Sequence, residues 1–287
     1  MPPPAQPPLQ LQALTWNLYH GRDFPPDKAL FTLRSRLLRV TEGNETHVQL
    51  NRSLFGDFAA WLAGHEWDVA LLQEAPPLWY RGFRRRTRAD GARAFTSRNV
   101  VPPLQRLLAW ANPDLIASWE GGSNQLLVRA PGRVLEQRSM TLTLRPERRT
   151  MLWARVELRA GETVCFANLH ASAGLPQKAT TEVLTAASAA TEWSEGNPLV
   201  FGGDLNLRPA RDPFPFVELR ERFGLGEPTG PNTIDHLLAR GLELVEAPRR
   251  LRAEQRELPQ PDGRRLRLSD HAPVLAQWSV EPSPVVR

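Results

Sequence analysis

Short apolar runs, each closed by polar residues, recur along the whole chain and set the fold class. Residues 12–17 end on Thr15-Trp16-Asn17, and 68–74 end on Gln73-Glu74. Residues 163–170 close on Asn168-Leu169-His170, and 199–202 open into Gly203-Asp204-Leu205-Asn206. Runs this short between turn residues read as strands. Further strands are predicted over 125–129, 134–144, 151–158, 233–238, 242–247 and 273–278. Helices are predicted over 27–40, capped by Asp27, and over 53–64, where Leu54, Phe58, Trp61 and Leu62 share one face. Two more are predicted over 99–110 and 176–194. Strands in hairpin-like series with helices inserted favour an α+β or layered α/β design over a strict βαβ repeat. No internal repeat or linker divides the chain.

The 287 residues are 41% hydrophobic and 23% charged, enough to bury a core and against wholesale disorder. No run approaches the ~18 apolar residues of a membrane span. All 36 basic residues except Lys28 and Lys178 are Arg, set against 31 acidic residues for a net +5. Arg is the better fork for phosphate, although an Arg- and Ala-biased composition accounts for the excess equally well. Cys165 is the only cysteine, so no internal disulfide forms, which suits a reducing compartment. Residues 1–11 are Pro- and Gln-rich without the regions of a signal peptide. They are expected to be a disordered leader, and the protein cytoplasmic with no obligate protein partner evident. A single domain is expected over 12–279, with a tail at 280–287.

The chemistry collects at predicted strand tips: Asn17, Glu74, His170, Asp204, Asn206, Asp235, Asp270 and His271. Singly, each has an ordinary structural role. Asn17 suits a turn, Glu74 a helix cap and His170 a half-buried pairing. Together they point to one rim of a sheet. Carboxylate and amide oxygens suit Mg²⁺ or Mn²⁺, and no Cys/His zinc spacing is present. There is no Walker A motif for nucleotide-driven chemistry and no Gly-x-Ser-x-Gly elbow for an α/β-hydrolase. Neighbouring side chains on a strand diverge, so Asp235 is better placed than Asp270 to orient His271.

Thr15-Trp16-Asn17, Leu72-Gln73-Glu74, Asn168-Leu169-His170, Gly203-Asp204-Leu205-Asn206, Ile234-Asp235-His236 and Ser269-Asp270-His271 follow one another in this order. The set resembles the signature blocks of the endonuclease/exonuclease/phosphatase superfamily, the DNase-I-like fold, across nearly the whole chain. The resemblance implies a four-layer α/β (α+β) sandwich. Two mostly antiparallel sheets pack face to face, helices flank them, and the active site lies at one rim.

The resemblance also implies roles. Glu74 is the principal metal ligand, Asn17 sits beside the metal or its water, and Asp270 binds or orients the same ion. Asp204 orients or deprotonates the attacking water, and Asn206 holds water or phosphate. His170 and His271 flank the scissile phosphate, with Asp235 behind His271. Arg149, or Arg148, suits a phosphate-binding position, and Asn124 after Gly121-Gly122-Ser123 suits a site near the rim. The activity implied is a metal-dependent phosphodiester hydrolase, foremost a nuclease on DNA or RNA. A phosphoesterase acting on a lipid or small soluble phosphate is the alternative, and a binder that no longer cleaves is a third. Two stretches match no block: 20–63, and the Arg-dense 81–98, which reads as a solvated face or a nucleic-acid groove.

Overall fold

The computed structural model describes residues 8–32, 40–95, 122–145, 147–159 and 161–281. The first strand, β1 (Leu9–Asn17), shows how the layers arise. Leu11 and Ala13 point into one apolar layer, and Leu14 and Trp16 into another on the opposite face. A strand buried on both faces lies inside a layered stack.

The remaining strands are β2 (Glu42–Gly43), β3 (Val48–Gln49), β4 (Val69–Ala75), β5 (Ala89–Phe95), β6 (Ser123–Arg129), β7 (Arg133–Thr143) and β8 (Arg149–Glu157). They continue as β9 (Thr163–His170), β10 (Leu199–Asp204), β11 (Asp235–Arg240), β12 (Glu243–Arg250), β13 (Glu257–Pro259), β14 (Arg265–Arg267) and β15 (Val274–Val280). Among the described residues the α-helices are α1 (Phe55–Gly64), α2 (Tyr80–Thr87), α3 (Pro176–Trp193) and α4 (Pro213–Phe223).

Among the described residues two large sheets form, one running β12-β15-β1-β4-β6-β5 and the other β11-β10-β9-β8-β7, while β2-β3 and β13-β14 pair separately. All neighbours are antiparallel except one pair in each sheet, β1 with β4 and β9 with β10. Between the sheets lie Leu71, Leu126, Val128, Leu152, Phe166 and Val200, all buried. The outer face of the first sheet carries α1 and α2, where Trp16 meets Trp61 and Phe58 at ring-centre distances of 4.6 and 5.1 Å. The outer face of the second carries α3 and α4; buried Ala179, Ala186, Ala187 and Ala190 line the α3 side of that cluster. This is the four-layer sandwich. Among the described residues no helix is long and apolar enough to cross a membrane.

The two parallel pairs position the site. Parallel strands end on the same side. Asn17 therefore pairs beside Gln73, and His170 beside Asp204. The antiparallel partner β11 then sets Asp235 opposite Asp204.

Beneath these tips the sheets are joined by amides. Gln73 Nε2 donates to Thr15 Oγ1 at 3.0 Å and to Asn168 Oδ1 at 2.7 Å. Asn168 Nδ2 donates to the carbonyls of Leu72 and Gln125 at 3.0 and 2.9 Å. Thr15, Gln73 and Asn168 are fully buried. Buried polar groups persist when bonded, and here they fix the register of one sheet on the other.

Some elements differ from the sequence reading. β1 starts at Leu9, within the expected leader, because Leu9 and Leu11 pair with Val280 and Trp278. The same pairing carries β15 to Val280, one residue into the expected tail. In 27–40, Asp27 does cap, accepting from Ala29 N at 2.9 Å, but the described part is one 3₁₀ turn, Lys28–Leu30; residues 33–39 lie outside the described residues. The helix expected at 99–110 and Gly121 lie outside them too. The described part of the Arg-dense stretch, 81–95, falls in α2 and β5, with Tyr80, Phe83 and Thr87 buried and Arg81, Arg85 and Arg86 turned to solvent. Helix α4 has no counterpart among the predicted elements. Its Pro213 and Pro215 stand in the first turn, where Pro is tolerated because the missing N–H has no partner there.

Candidate active site

Asp204, the last residue of β10, is the centre of the cluster. Its side chain is 2% exposed. Asn17 Nδ2 donates to its Oδ2 at 3.0 Å, and Asn206 N donates to its Oδ1 at 3.1 Å. Burial, then the neighbouring Asp235, push its carboxyl up to about 7 against the pull of His271. A carboxyl near neutrality can exchange a proton at physiological pH.

His271 Nδ1 lies 2.9 Å from both oxygens of Asp235. Its Nε2 is 3.7 Å from Asp204 Oδ2 and 3.9 Å from Asp270 Oδ1. Burial disfavours its charge, but Asp235 and Asp204 outweigh burial and raise it to about 10. His170 is the opposite case. Burial, reinforced by Arg149, lowers it to about 3, so its ring is neutral. Arg149 Nη1 sits 3.1 Å from His170 Nδ1 and 3.3 Å from Nε2, while Nη2 pairs with Glu147 at 2.9 Å. Arg149 is the first residue of β8 and 8% exposed.

Glu74 stands across from these groups. Its Oε1 is 3.6 Å from His170 Nε2, and its Oε2 is 3.1 Å from His20 Nε2. Burial alone would raise its pKa; His20, His170 and His271, with a bond from Asn17, hold it below the usual carboxylate range. Burial, aided by Glu74, raises Asp270.

Asn17 Oδ1 accepts from Tyr19 N at 3.0 Å, which turns its N–H toward Asp204. Asn17 therefore acts here as a donor between carboxylates. Asn206 Nδ2 donates to Ala171 O at 3.0 Å. Asn124 bonds to backbone carbonyls rather than to the charged groups. It is fully buried and donates to Thr150 O at 2.8 Å, bridging the sheets. His236, in the same block as Asp235, is buried in the loop packing.

The carboxylates outnumber the cations, and the donors are oxygen-rich. Glu74 and Asp270 are close enough to repel, and that set fits a hard divalent cation. Asp204, Asp235 and His271 also bring one ligand atom each within 4.8 Å of one another. His271 is charged and bonded to Asp235, and a protonated imidazole does not ligate a metal.

Sequence reading missed two contributors. His20 lies in a Gly- and Pro-containing loop that carries no strand-tip pattern. Arg256 lies in a charged stretch, yet its Nη1 donates to the carbonyls of Ser269 and His271 at 2.7 and 2.6 Å. Backbone irregularity marks the rim. Glu74, Asn206 and Ser269 have φ of 47°, 53° and 60°, values that non-glycine residues hold mostly where surroundings compel them.

Residues 14–271 match the sequence profile of the Endonuclease/Exonuclease/phosphatase family. No curated protein matches the chain by sequence. A Bacteroides thetaiotaomicron endonuclease/exonuclease/phosphatase family protein has a similar structure at TM-score 0.64 and 14% identity, covering 96% of each chain. A mannosyl-6-phosphatase from that organism reaches 0.60 at 14% identity, over 93% of this chain and 99% of its own. TDP2 of D. rerio, solved with a single-stranded DNA product, reaches 0.55 at 16% identity, over 94% and 98%. At such identities the likeness is one of fold.

Proposed function

The chain belongs to the endonuclease/exonuclease/phosphatase family, whose members hydrolyse phosphoester bonds, and from that premise we propose that it is a divalent-metal-dependent phosphodiester hydrolase acting on nucleic acid. One observation carries the reading: the charged His271, backed by Asp235, faces the near-neutral Asp204 across 3.7 Å. That pairs a hydrogen-bond donor for a phosphate oxygen with a base for water.

Asp204 is oriented by Asn17 and by the Asn206 backbone, and takes a proton from the attacking water. His271 Nε2–H donates to a non-bridging phosphate oxygen, and Asp235 fixes its tautomer. Arg149 adds fixed positive charge beside neutral His170. A bound Mg²⁺ or Mn²⁺, held by Glu74 and Asp270, would supply Lewis-acid charge neutralisation at the phosphate. The site blocks hold no activated Ser, Cys or Tyr nucleophile, since Ser269 is buried with its Oγ–H given to Asn17 O, so attack by water is direct. The Arg excess supports a polyanionic substrate. The fold is shared with a mannosyl-6-phosphatase, so a small soluble phosphate is the second reading.

The test is a panel of single- and double-stranded DNA, RNA, inositol phosphates and sugar phosphates, with Mg²⁺, Mn²⁺ or EDTA and with Asp204→Asn as the blank. Metal-dependent cleavage of a nucleic acid, absent in the variant, supports the proposal. Turnover of small phosphates alone moves the substrate to the second reading.

A further inference from the structure

The chain leaves β1 through a left-handed turn. Tyr19, His20 and Gly21 have φ of 50°, 53° and 76°. Glycine adopts such values freely, but Tyr and His adopt them only where the surroundings over-determine them. Gly21 N donates to Leu18 O at 2.8 Å and Arg22 N to Tyr19 O at 3.1 Å. Asn17 Oδ1 holds Tyr19 N at 3.0 Å. Gly21 packs against the Trp79 ring, where a Cβ would come within 2.2 Å of a ring carbon. The turn is thus tied to a site residue on one side and to the outer layer on the other.

The side chain aimed by this turn is His20. Its Nε2 is 3.1 Å from Glu74 Oε2. Glu74 is itself on irregular backbone, at φ 47°, where the pairing of β4 and β6 shifts register between Leu72 and Ala75. Gly122 leaves room for the contact; a Cβ there would lie 3.0 Å from Glu74 Cα and 3.4 Å from His20 Cε1. Two irregular backbones and a side-chain-free position therefore converge on one close imidazole–carboxylate contact. Because the acceptor faces Nε2, the ring carries its proton there, and buried Nδ1 has no partner.

We propose that His20 is a positioning residue of the metal site: its Nε2–H holds Glu74 Oε2, so that Glu74 is presented to a divalent cation through Oε1 alone. Oε1 is the oxygen that faces the pocket, 3.6 Å from His170 Nε2. The inference rests on the reading of Glu74 as the principal metal ligand. Donors behind a metal-ligating side chain fix its orientation, and their loss typically costs about 10–100-fold in metal affinity.

The experiment is calorimetric titration of MnCl₂ into the full chain without substrate, for wild type, His20→Ala, His20→Gln and Glu74→Gln, with circular dichroism to verify folding. The expected result is Mn²⁺ binding weakened about 10–100-fold in His20→Ala and largely restored in His20→Gln, whose amide N–H replaces the imidazole donor. Glu74→Gln should lose binding. Wild-type affinity in His20→Ala together with weak binding in Glu74→Gln overturns the role of His20 and leaves the metal site standing. A His20→Gln variant that folds but binds as poorly as Ala also overturns it, since the hydrogen bond is then not the cause. Undiminished binding in Glu74→Gln overturns the metal-site reading itself, and this inference with it.

Discussion

Asp235, the first residue of β11, reaches His271 in the loop before β15 and places both carboxylate oxygens 2.9 Å from its Nδ1. Asp270, the chain neighbour of His271, is 3.9 Å from the other ring nitrogen. The pairing follows from backbone geometry. His271 lies in the bend that precedes β15, and β11 sets Asp235 against its Nδ1 from across the fold. Burial acts against the imidazolium, and Asp235 followed by Asp204 overcomes it. The outcome is a histidine that stays charged at neutral pH with Nε2–H directed at the pocket.

Replacing Asp235 by Asn keeps the shape and removes the charge. His271 is then expected to titrate at lower pH, and kcat to fall by about 10²–10⁴-fold, the range for loss of an acid–base group. The checks are steady-state rates on the cleaved substrate and an NMR titration of the His271 ring. A wild-type rate in a folded Asp235→Asn variant removes the pair from the mechanism.

The amides between the sheets make a separate prediction. Asn168→Ala leaves the carbonyls of Leu72 and Gln125 without this donor and takes an acceptor from Gln73. Each buried group left unsatisfied costs about 1–3 kcal/mol. The expected loss is at least that of one such group, read as a lower midpoint in urea with an unchanged slope. An unaltered midpoint would mean that the sheets hold their register without these bonds.

The sequence carried Asn17, His170 and Asp204 plainly because each closes an apolar run, at the ends of β1, β9 and β10. Their order along the chain also carried the layered fold. What it did not carry depends on long-range geometry. Asn124 looks like a rim residue by its Gly-Gly-Ser context, but β6 sets it between the sheets. His20 matters only because a left-handed turn swings it onto Glu74, and no periodicity encodes that swing. Arg256 reads as one more charge in 249–267; only the folded loop shows which carbonyls it meets.

His236 gives a pH dependence of stability. Its Nδ1 accepts from Thr229 N at 3.2 Å, while Nε2 lies 3.1 Å from the carbonyls of Leu207 and Thr233. The neutral ring satisfies all three, and burial lowers its pKa from 6.5. The unfolded chain therefore binds a proton that the folded chain resists. This contribution is present above 6.5 and is lost as pH falls from there toward the folded pKa. In thermal melts, His236→Gln is expected to be less stable than wild type near about pH 8, and the gap to narrow near about pH 5. A gap that is constant or widens in acid would show that His236 is not held neutral.

Arg256 clamps the loop that carries Asp270 and His271. The residue is 6% exposed, and Nη1 donates to Ser269 O, His271 O and, at 3.4 Å, Leu268 O. Burial, with Arg267 and Arg250 nearby, lowers its pKa to about 10, so it remains charged at neutral pH. The loop needs the clamp because Ser269 sits at φ 60°. Other ties come from the first strand: Ser269 Oγ donates to Asn17 O at 2.6 Å, and Trp16 Nε1 to His271 O at 3.0 Å. Arg256→Met fills the space and removes the donors from one side only. The loop should shift without unfolding, and a displacement near 1 Å costs about 10²-fold in rate. The expected result is a fall in kcat of that order with KM little changed, partly restored in Arg256→Lys and by millimolar guanidinium added to Arg256→Met. A kcat indistinguishable from wild type would show that Trp16 and Ser269 hold the loop unaided.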